Sequence, residues 1–266
     1  MNTLQKPVTK NDLLSFKLPA SIDEVIFQLE NIIDYCETSN SSAGYFAVLY
    51  HKVTCKVKEC ISDKDFEDGV RMEKLDVMFA SRYLNAFYLW LDNKPTTESW
   101  KVAFDAIADK SILVIQHLLL GMNAHINLDL GISTGDVMKG TLLEEIHNDF
   151  NTINSILGSM INSIEGCLTS VNPLMKLLDL DIFNYNEMLV QFSITIARDG
   201  AWKFAEELSG KIEADYENCI LERDQRIQQL GISIQKPQGF FLRFIVRLIR
   251  LFEKKKVKSI INLLGK

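Results

Sequence analysis

Proline and glycine are scarce in this chain, with five and thirteen copies among 266 residues. Strand-and-turn architectures use both at frequent reversals, so their scarcity favours long helices. No alternating polar–apolar run reads as a strand, and there is no internal repeat or low-complexity tract. The cysteines lack a pattern. Cys36, Cys55, Cys60, Cys167 and Cys219 are odd in number, without Cys-x-x-Cys or zinc-finger spacing, and read as reduced packing thiols of an intracellular protein. No segment reaches the roughly 18 uninterrupted apolar residues of a membrane span. Met1 to Ala20 is polar, with Lys6, Lys10 and Lys17, and lacks the apolar run of a signal peptide. A cytoplasmic protein is the expectation. Excess positive charge is missing too: the net charge of −6 argues against a general nucleic-acid binder. There is no Gly-rich phosphate loop after a strand and no local Ser-His-Asp or Cys-His motif, so no cofactor is expected.

What is present is a globular composition, 47% hydrophobic and 24% charged, on a chain long enough for one large domain or two small ones. The pattern predicts an all-α fold, a single bundle of about eight to ten helices. Residues 1–20 read as an irregular arm, 21–230 as the helical bundle, and 231–266 as a linker and a basic amphipathic helix. Ser21-Ile22-Asp23-Glu24 has capping-box spacing and opens a helix to about Thr38. Helices follow over Tyr45 to Ile61, Asp65 to Leu91 and Glu98 to Asp109. A central helix spans Ser111 to Leu130. Gly131 to Gly140 reads as a loop. Thr141-Leu142-Leu143-Glu144 reads as a second capping box, opening a helix to about Thr169. After Asn172-Pro173 come a short helical turn, a helix over Tyr185 to Leu208, another over Lys211 to Leu230, and the last element, Phe240 to Leu264.

The central helix is apolar almost all round, yet Gln116, His117, Asn123, His125, Asn127 and Asp129 lie on it. Buried polar groups cost free energy unless they find partners, so this segment is the candidate site. At about 100° per residue, Gln116, Asn123 and Asn127 fall within about 40° of one another, and His125 and Asp129 form a second stripe nearly opposite. Gly121 lies on the His125 side, where a missing side chain leaves room for backbone, water or ligand. His125 and Asp129, at i and i+4, suit a buried hydrogen bond, an acid–base pair in which Asp129 orients His125, or two metal ligands. Asn123 and Asn127 suit a network to neighbouring helices or the lining of a pocket.

Other groupings are sparser. Glu73 and Asp76 share a helix with Arg82. Glu144-x-x-His147 carries the spacing of di-iron bundles, but only once where two copies are needed. Asp149 and Asn151 follow it. Arg198 and Trp202, at i and i+4, could bind an anion or form a cation–π pair. His51, alone on an amphipathic helix, reads as structural or exposed. His117, His125, Asp129 and His147 could in principle supply zinc ligands, but no pair of motifs fixes four ligands and His117 is rotated by about 120° from Asp129, so no tightly bound metal is expected. The C-terminal segment differs in character. From Gly239 it carries eight basic residues against Glu253, a net +7 that leaves about −13 on residues 1–238. Arg243, Arg247, Arg250 and Lys254 recur at helical spacing among Phe240, Phe241, Phe244, Ile245, Leu248, Ile249, Leu251 and Phe252. Such a helix can lie on an anionic membrane, occupy an acidic partner's groove, or dock on the acidic body.

The run Gly121-Met122-Asn123-Ala124-His125-Ile126-Asn127-Leu128-Asp129-Leu130 resembles the signature of the all-helical domain-of-unknown-function 5995 family. Phe79-x-x-Arg82-Tyr83-Leu84-x-Ala86, Asp149-Phe150-x-x-x-Asn154 and Arg198-x-x-x-Trp202 add to the resemblance, which spans about residues 45–210. It implies a helical fold and brings no established activity. A fainter likeness is to the helical zinc-dependent phospholipase C and nuclease superfamily, in which His117, His125, Asp129 and His147 would be the corresponding ligand types. This chain departs from that pattern at Gly121, where an Asp would follow His117, and has no counterpart of the N-terminal ligand at Met1. The functional expectation is an enzyme or binding protein for a small molecule. Its pocket lies beside His125 and Asp129, with His117, Asn123, Asn127, Asp149 and Arg198 as further candidates. The alternatives are a non-catalytic interaction or membrane-surface module, and a metal-dependent phosphodiesterase.

Overall fold

A helix apolar on almost every side needs burial all round, and the fold is arranged around one. The computed structural model describes residues 7–172, 174, 194–237 and 239–266. These contain twelve α-helices and no strand. In chain order they are α1 (Lys10–Leu14), α2 (Ile22–Ser39), α3 (Gly44–Ser62), α4 (Gly69–Leu91), α5 (Glu98–Asp105), α6 (Val114–Ala124), α7 (Gly131–Val137), α8 (His147–Val171), α9 (Ile194–Ser209), α10 (Glu213–Gln235), α11 (Phe240–Phe252) and α12 (Val257–Leu264). Between α6 and α7 the chain does not leave the axis. It continues as a wider π-helical stretch, His125–Leu130, so one rod runs from Val114 to Val137. From Val114 to Thr134 every residue of it is buried except Met122 and Ile126, which are half-buried. Helices α3, α4, α5, α9 and α10 surround the rod, and α1, α2, α8 and α12 form the next shell.

Several elements differ from the sequence expectation, each for a visible reason. Residues 1–20 are not wholly irregular. Thr9 and Asp12 form a reciprocal capping box on α1, whose Leu13 is fully buried. Gly131 does not end the central helix. A Cβ there would meet the Ala201 carbonyl at 2.8 Å and the Phe204 ring at 2.8 Å, so glycine is needed where α9 crosses the rod. Thr141 caps nothing: its hydroxyl donates to the Met138 carbonyl, and α8 begins at His147 after a 3-10 turn, Leu143–Ile146. Helix α10 runs on to Gln235, with Gly231 pressed against Val102 and Asn123. The last element breaks at Glu253 into α11 and α12. The extra segment α1, the continuation α7 and this break account for twelve helices against the eight to ten expected. The short turn after Pro173 and residues 185–193 of the expected Tyr185–Leu208 helix lie outside the described residues.

Helix starts are tied by carboxylates from distant parts of the chain. Asp149 accepts from the Glu67 and Asp68 amides just ahead of α4, at 2.7 and 3.0 Å. Asp224 accepts from the Glu98 and Ser99 amides that open α5, at 2.7 and 2.9 Å. Glu253 accepts from the Val114 amide that opens α6, at 3.0 Å. Glu73 reaches the Ile22 amide that opens α2, at 3.3 Å, beside the local cap Ser21. Each places a negative charge where free N–H groups and the helix dipole favour it.

The C-terminal segment belongs to this core. Ile245, Ile249, Val257, Ile260, Ile261 and Leu264 are buried in the main apolar cluster. Burying six such side chains is worth on the order of 10 kcal/mol, comparable with the whole stability of a domain. Removing residues 239–266 is therefore expected to abolish cooperative thermal unfolding, followed by circular dichroism at 222 nm, an ordinary helix wavelength. A truncated chain that melts cooperatively at the full-length temperature would contradict this.

Candidate functional site

The site grows from the π-helical stretch. A π turn is uncommon and widens the helix locally, often where side chains have work to do. Its first residue, His125, sits in an aromatic box. Its ring lies flat on Phe79, centroids 3.5 Å apart and 6° between planes. Tyr50, Phe46, Tyr83 and Trp100 meet it edge-on or tilted. Gly121 makes this possible, since a Cβ there would stand 2.5 Å from the Phe46 ring. The room left at Gly121 is therefore filled by Phe46.

Asp129 is the hub of the rod. Its carboxylate accepts from Arg82 Nε and from Trp100 Nε1, each at 2.8 Å. His125 Nδ1 stands farther off, at 3.4 Å. Burial alone would raise the Asp129 carboxyl, but Arg82 and the hydrogen bonds hold it below the usual carboxylate range. Burial lowers His125, and Asp129 only partly opposes that, so the ring is neutral at neutral pH. With Nδ1–H turned to Asp129, Nε2 is left as a bare acceptor. It is fully buried and finds no partner among the described residues.

Beside His125 lies a cavity of about 100 Å³, somewhat smaller than one that holds benzene. α3, α4, the rod, α8 and α9 all contribute to its wall, which is overwhelmingly apolar, with Leu49, Val53, Leu75, Met122 and Ile126 among its side chains. Seven buried side-chain polar atoms have no partner among the described residues. Four of them, on Tyr50, Asp76, His125 and Arg198, belong to residues lining this one cavity. Burial, with Glu73 nearby, pushes the Asp76 carboxyl up to about 7. Burial brings Arg198 down to about 9, so it stays charged at neutral pH. Its guanidinium donates to the Phe150 carbonyl at 2.5 Å and lies 4.4 Å from the Phe150 ring centre, but it makes no ion pair among the described residues.

The remaining candidates are engaged elsewhere. Asn123 donates to the Ile227 carbonyl and accepts from Asn127, while Arg223 donates to the Asn127 carbonyl; this stripe binds the rod to α10. Asp149 holds the start of α4, with Arg71 3.5 Å away. His117 packs edge-on against Tyr45 and is lowered to about 4, by burial first and by Arg250 second. His147 lies against Trp202 and bonds Asn151, and His51 pairs with Glu30 at 3.5 Å. Among the described residues no three His, Cys, Asp or Glu side chains gather as metal ligands. Tyr50 was absent from the sequence reading; Phe79 entered it as an apolar and motif residue, and Arg82 as a motif residue and a neighbour of Glu73 and Asp76. The i, i+4 spacing of Phe46 and Tyr50 on α3 is a signal that could have found them.

Asp76 offers a check. Its folded-state carboxyl lies above the ordinary value, so its favourable contribution is present below about pH 4 and is lost as pH rises to about 7. Asp76→Asn should match the wild type near pH 4 and become progressively more stable than it towards pH 7, by up to about 4 kcal/mol in urea unfolding. A difference that does not change with pH would show that Asp76 ionises freely.

Comparison with known proteins gives one match. No curated protein and no solved structure matches the chain. The family model described as a family of unknown function (DUF5995) matches residues 22–237, which takes in the rod, the aromatic box and most of the cavity wall. The chain belongs to that family.

Proposed function

We propose that this protein binds a small, mainly apolar molecule carrying one acidic group, in the cavity beside His125. The observation that carries this reading is the convergence on one apolar cavity of four residues with buried polar atoms that lack partners among the described residues. Folded proteins pair nearly all such atoms, and each exception asks for an explanation. A buried guanidinium with no carboxylate among the described residues is the costliest of the four, and a ligand anion would relieve it. Asp76, half-protonated near neutral pH, can donate to the same group. Tyr50, its hydroxyl pushed well above the ordinary value by burial, remains a donor, and His125 Nε2 is an acceptor. The apolar wall takes the remainder of the molecule. Free thiols at all five cysteines fit the reducing interior of a cell, and a cytoplasmic location is part of this reading.

Proton transfer by His125, oriented by Asp129, is the second reading, and the bare Nε2 favours it. Two facts set it behind binding. Asp129 is neutralised mainly by Arg82, at 2.8 Å against 3.4 Å to His125, so it lends the ring little basicity. Burial also weakens the ring as a base.

Butyrate, butanol and butylamine share a tail and differ in head, so they separate the terms. Butyrate is expected to bind saturably in amide NMR titrations, with a Kd around the millimolar range suited to a handful of heavy atoms. Butylamine should bind about tenfold more weakly or not at all, because Arg198 repels it. Val53→Phe, which fills the cavity from a half-buried position, should abolish binding of all three while the fold is kept. Equal binding of butyrate and butylamine, or binding that survives Val53→Phe, would rule the proposal out.

A further inference from the structure

Helix α11 has two apolar faces and uses one. Ile245 and Ile249 are buried against the core. On an ideal helix Phe240, Phe244, Leu248, Leu251 and Phe252 fall within about 120° of one another on the neighbouring face. All five are exposed, Phe240 at 82% and Leu251 at 72%. Isolated apolar side chains on a surface need no explanation, but five on one face of one helix do. Arg243 and Arg247 border this face, and Lys254, Lys255 and Lys256 follow its end. All five are exposed, and none makes an ion pair among the described residues. Arg250 and Lys258, by contrast, pair with Glu253 and Glu37.

We propose that this face is a docking surface for an anionic lipid bilayer, with α11 lying in the headgroup plane. Phe240, Phe244, Leu248, Leu251 and Phe252 enter the acyl boundary, and the five basic side chains meet the phosphates. A single helix presents a convex ridge, which a fluid interface accepts without a matching groove. Charge selects the same occupant. Residues 1–238 carry about −13 and are repelled by an anionic leaflet, so only the orientation that presents the +7 segment is favoured. A second copy meeting this face symmetrically would bring two basic surfaces together, which opposes it. Membrane contact here is peripheral: among the described residues no helix is long and apolar enough to cross a membrane.

Co-sedimentation of the full chain with phosphatidylcholine–phosphatidylglycerol vesicles tests the proposal, with vesicles of phosphatidylcholine alone as the comparison. Two double variants keep the core intact because they change only exposed side chains: Phe244→Ser with Leu251→Ser, and Arg243→Glu with Arg247→Glu. Unchanged thermal melts verify this. The wild type is expected to bind the mixed vesicles, to bind phosphatidylcholine weakly, and to weaken as salt shortens the Debye length to about 8 Å and below. Each double variant should lower partitioning at least about tenfold. No binding to mixed vesicles at low salt would overturn the proposal. Binding lost only in the Arg variant would overturn insertion and point to an acidic macromolecular partner. Concentration-dependent dimerisation lost in the Phe244/Leu251 variant, without vesicle binding, would assign the face to a second copy instead.

Discussion

A carboxylate at the centre of an apolar rod is the constraint on which the architecture turns. Asp129 has almost no access to solvent, so its charge must be met by protein. The two groups that meet it come from separate helices: Arg82 Nε from α4 and Trp100 Nε1 from α5. Each fixes its helix in both rotation and height against the rod. Trp100 in turn stacks on Phe104 and lies against Tyr83 and Phe46, so the aromatic box inherits its geometry from that hydrogen bond. The Arg82 side chain reaches solvent at its far side, 31% exposed, which keeps the pair from being two charges wholly removed from water. His125 is the third neighbour and the loosest.

The same economy of charge recurs at the helix starts. Glu73, Asp149, Asp224 and Glu253 each serve amides at or just before the opening of a helix other than their own. Such bonds stabilise by satisfying donors that no intrahelical carbonyl can reach. They also specify topology, because each is formed only when two sequence-distant elements are in register. Glu253 is the sharpest case. It ends α11, receives Arg250 at 2.6 Å, and opens the central rod 139 residues earlier in the chain.

Local rules were legible in the sequence, and long-range ones were not. Periodicity and the Ser21 cap gave α2, α3 and α4 to within a few residues, because those signals act over one or two turns. Gly131 was read as a break because glycine has low helix propensity. What overrides propensity is the close passage of Ala201 and Phe204, which no local pattern announces. Thr141 and Glu144 had the right spacing for a cap and the wrong backbone, since Leu142 is extended and a 3-10 turn follows. At the site, the i, i+4 spacing placed His125 and Asp129 together. Their decisive partners lie 47 and 29 residues from Asp129 in sequence and could not be assigned to it by spacing. Arg198 was a candidate anion binder beside Trp202, and Asp76 was noted only beside Glu73 and Arg82. Their burial against a shared cavity depends on how α4 and α9 close around the rod.

The buried charges thus fall into three kinds, and the distinction bears on function. Asp129 is paired, and its cost is offset by two short hydrogen bonds. The helix-capping acids are satisfied by amides that would otherwise be stranded. Asp76 and Arg198 return nothing comparable to the folded chain. One is held near half-protonation, and the other is charged and meets a carbonyl and an aromatic face but no carboxylate among the described residues. Apolar residues of similar volume would pack these two positions more stably. Local choices that oppose stability without an internal return are where a chain most often serves something outside itself. That is why the cavity, rather than the loose histidine–aspartate pair, carries the functional reading.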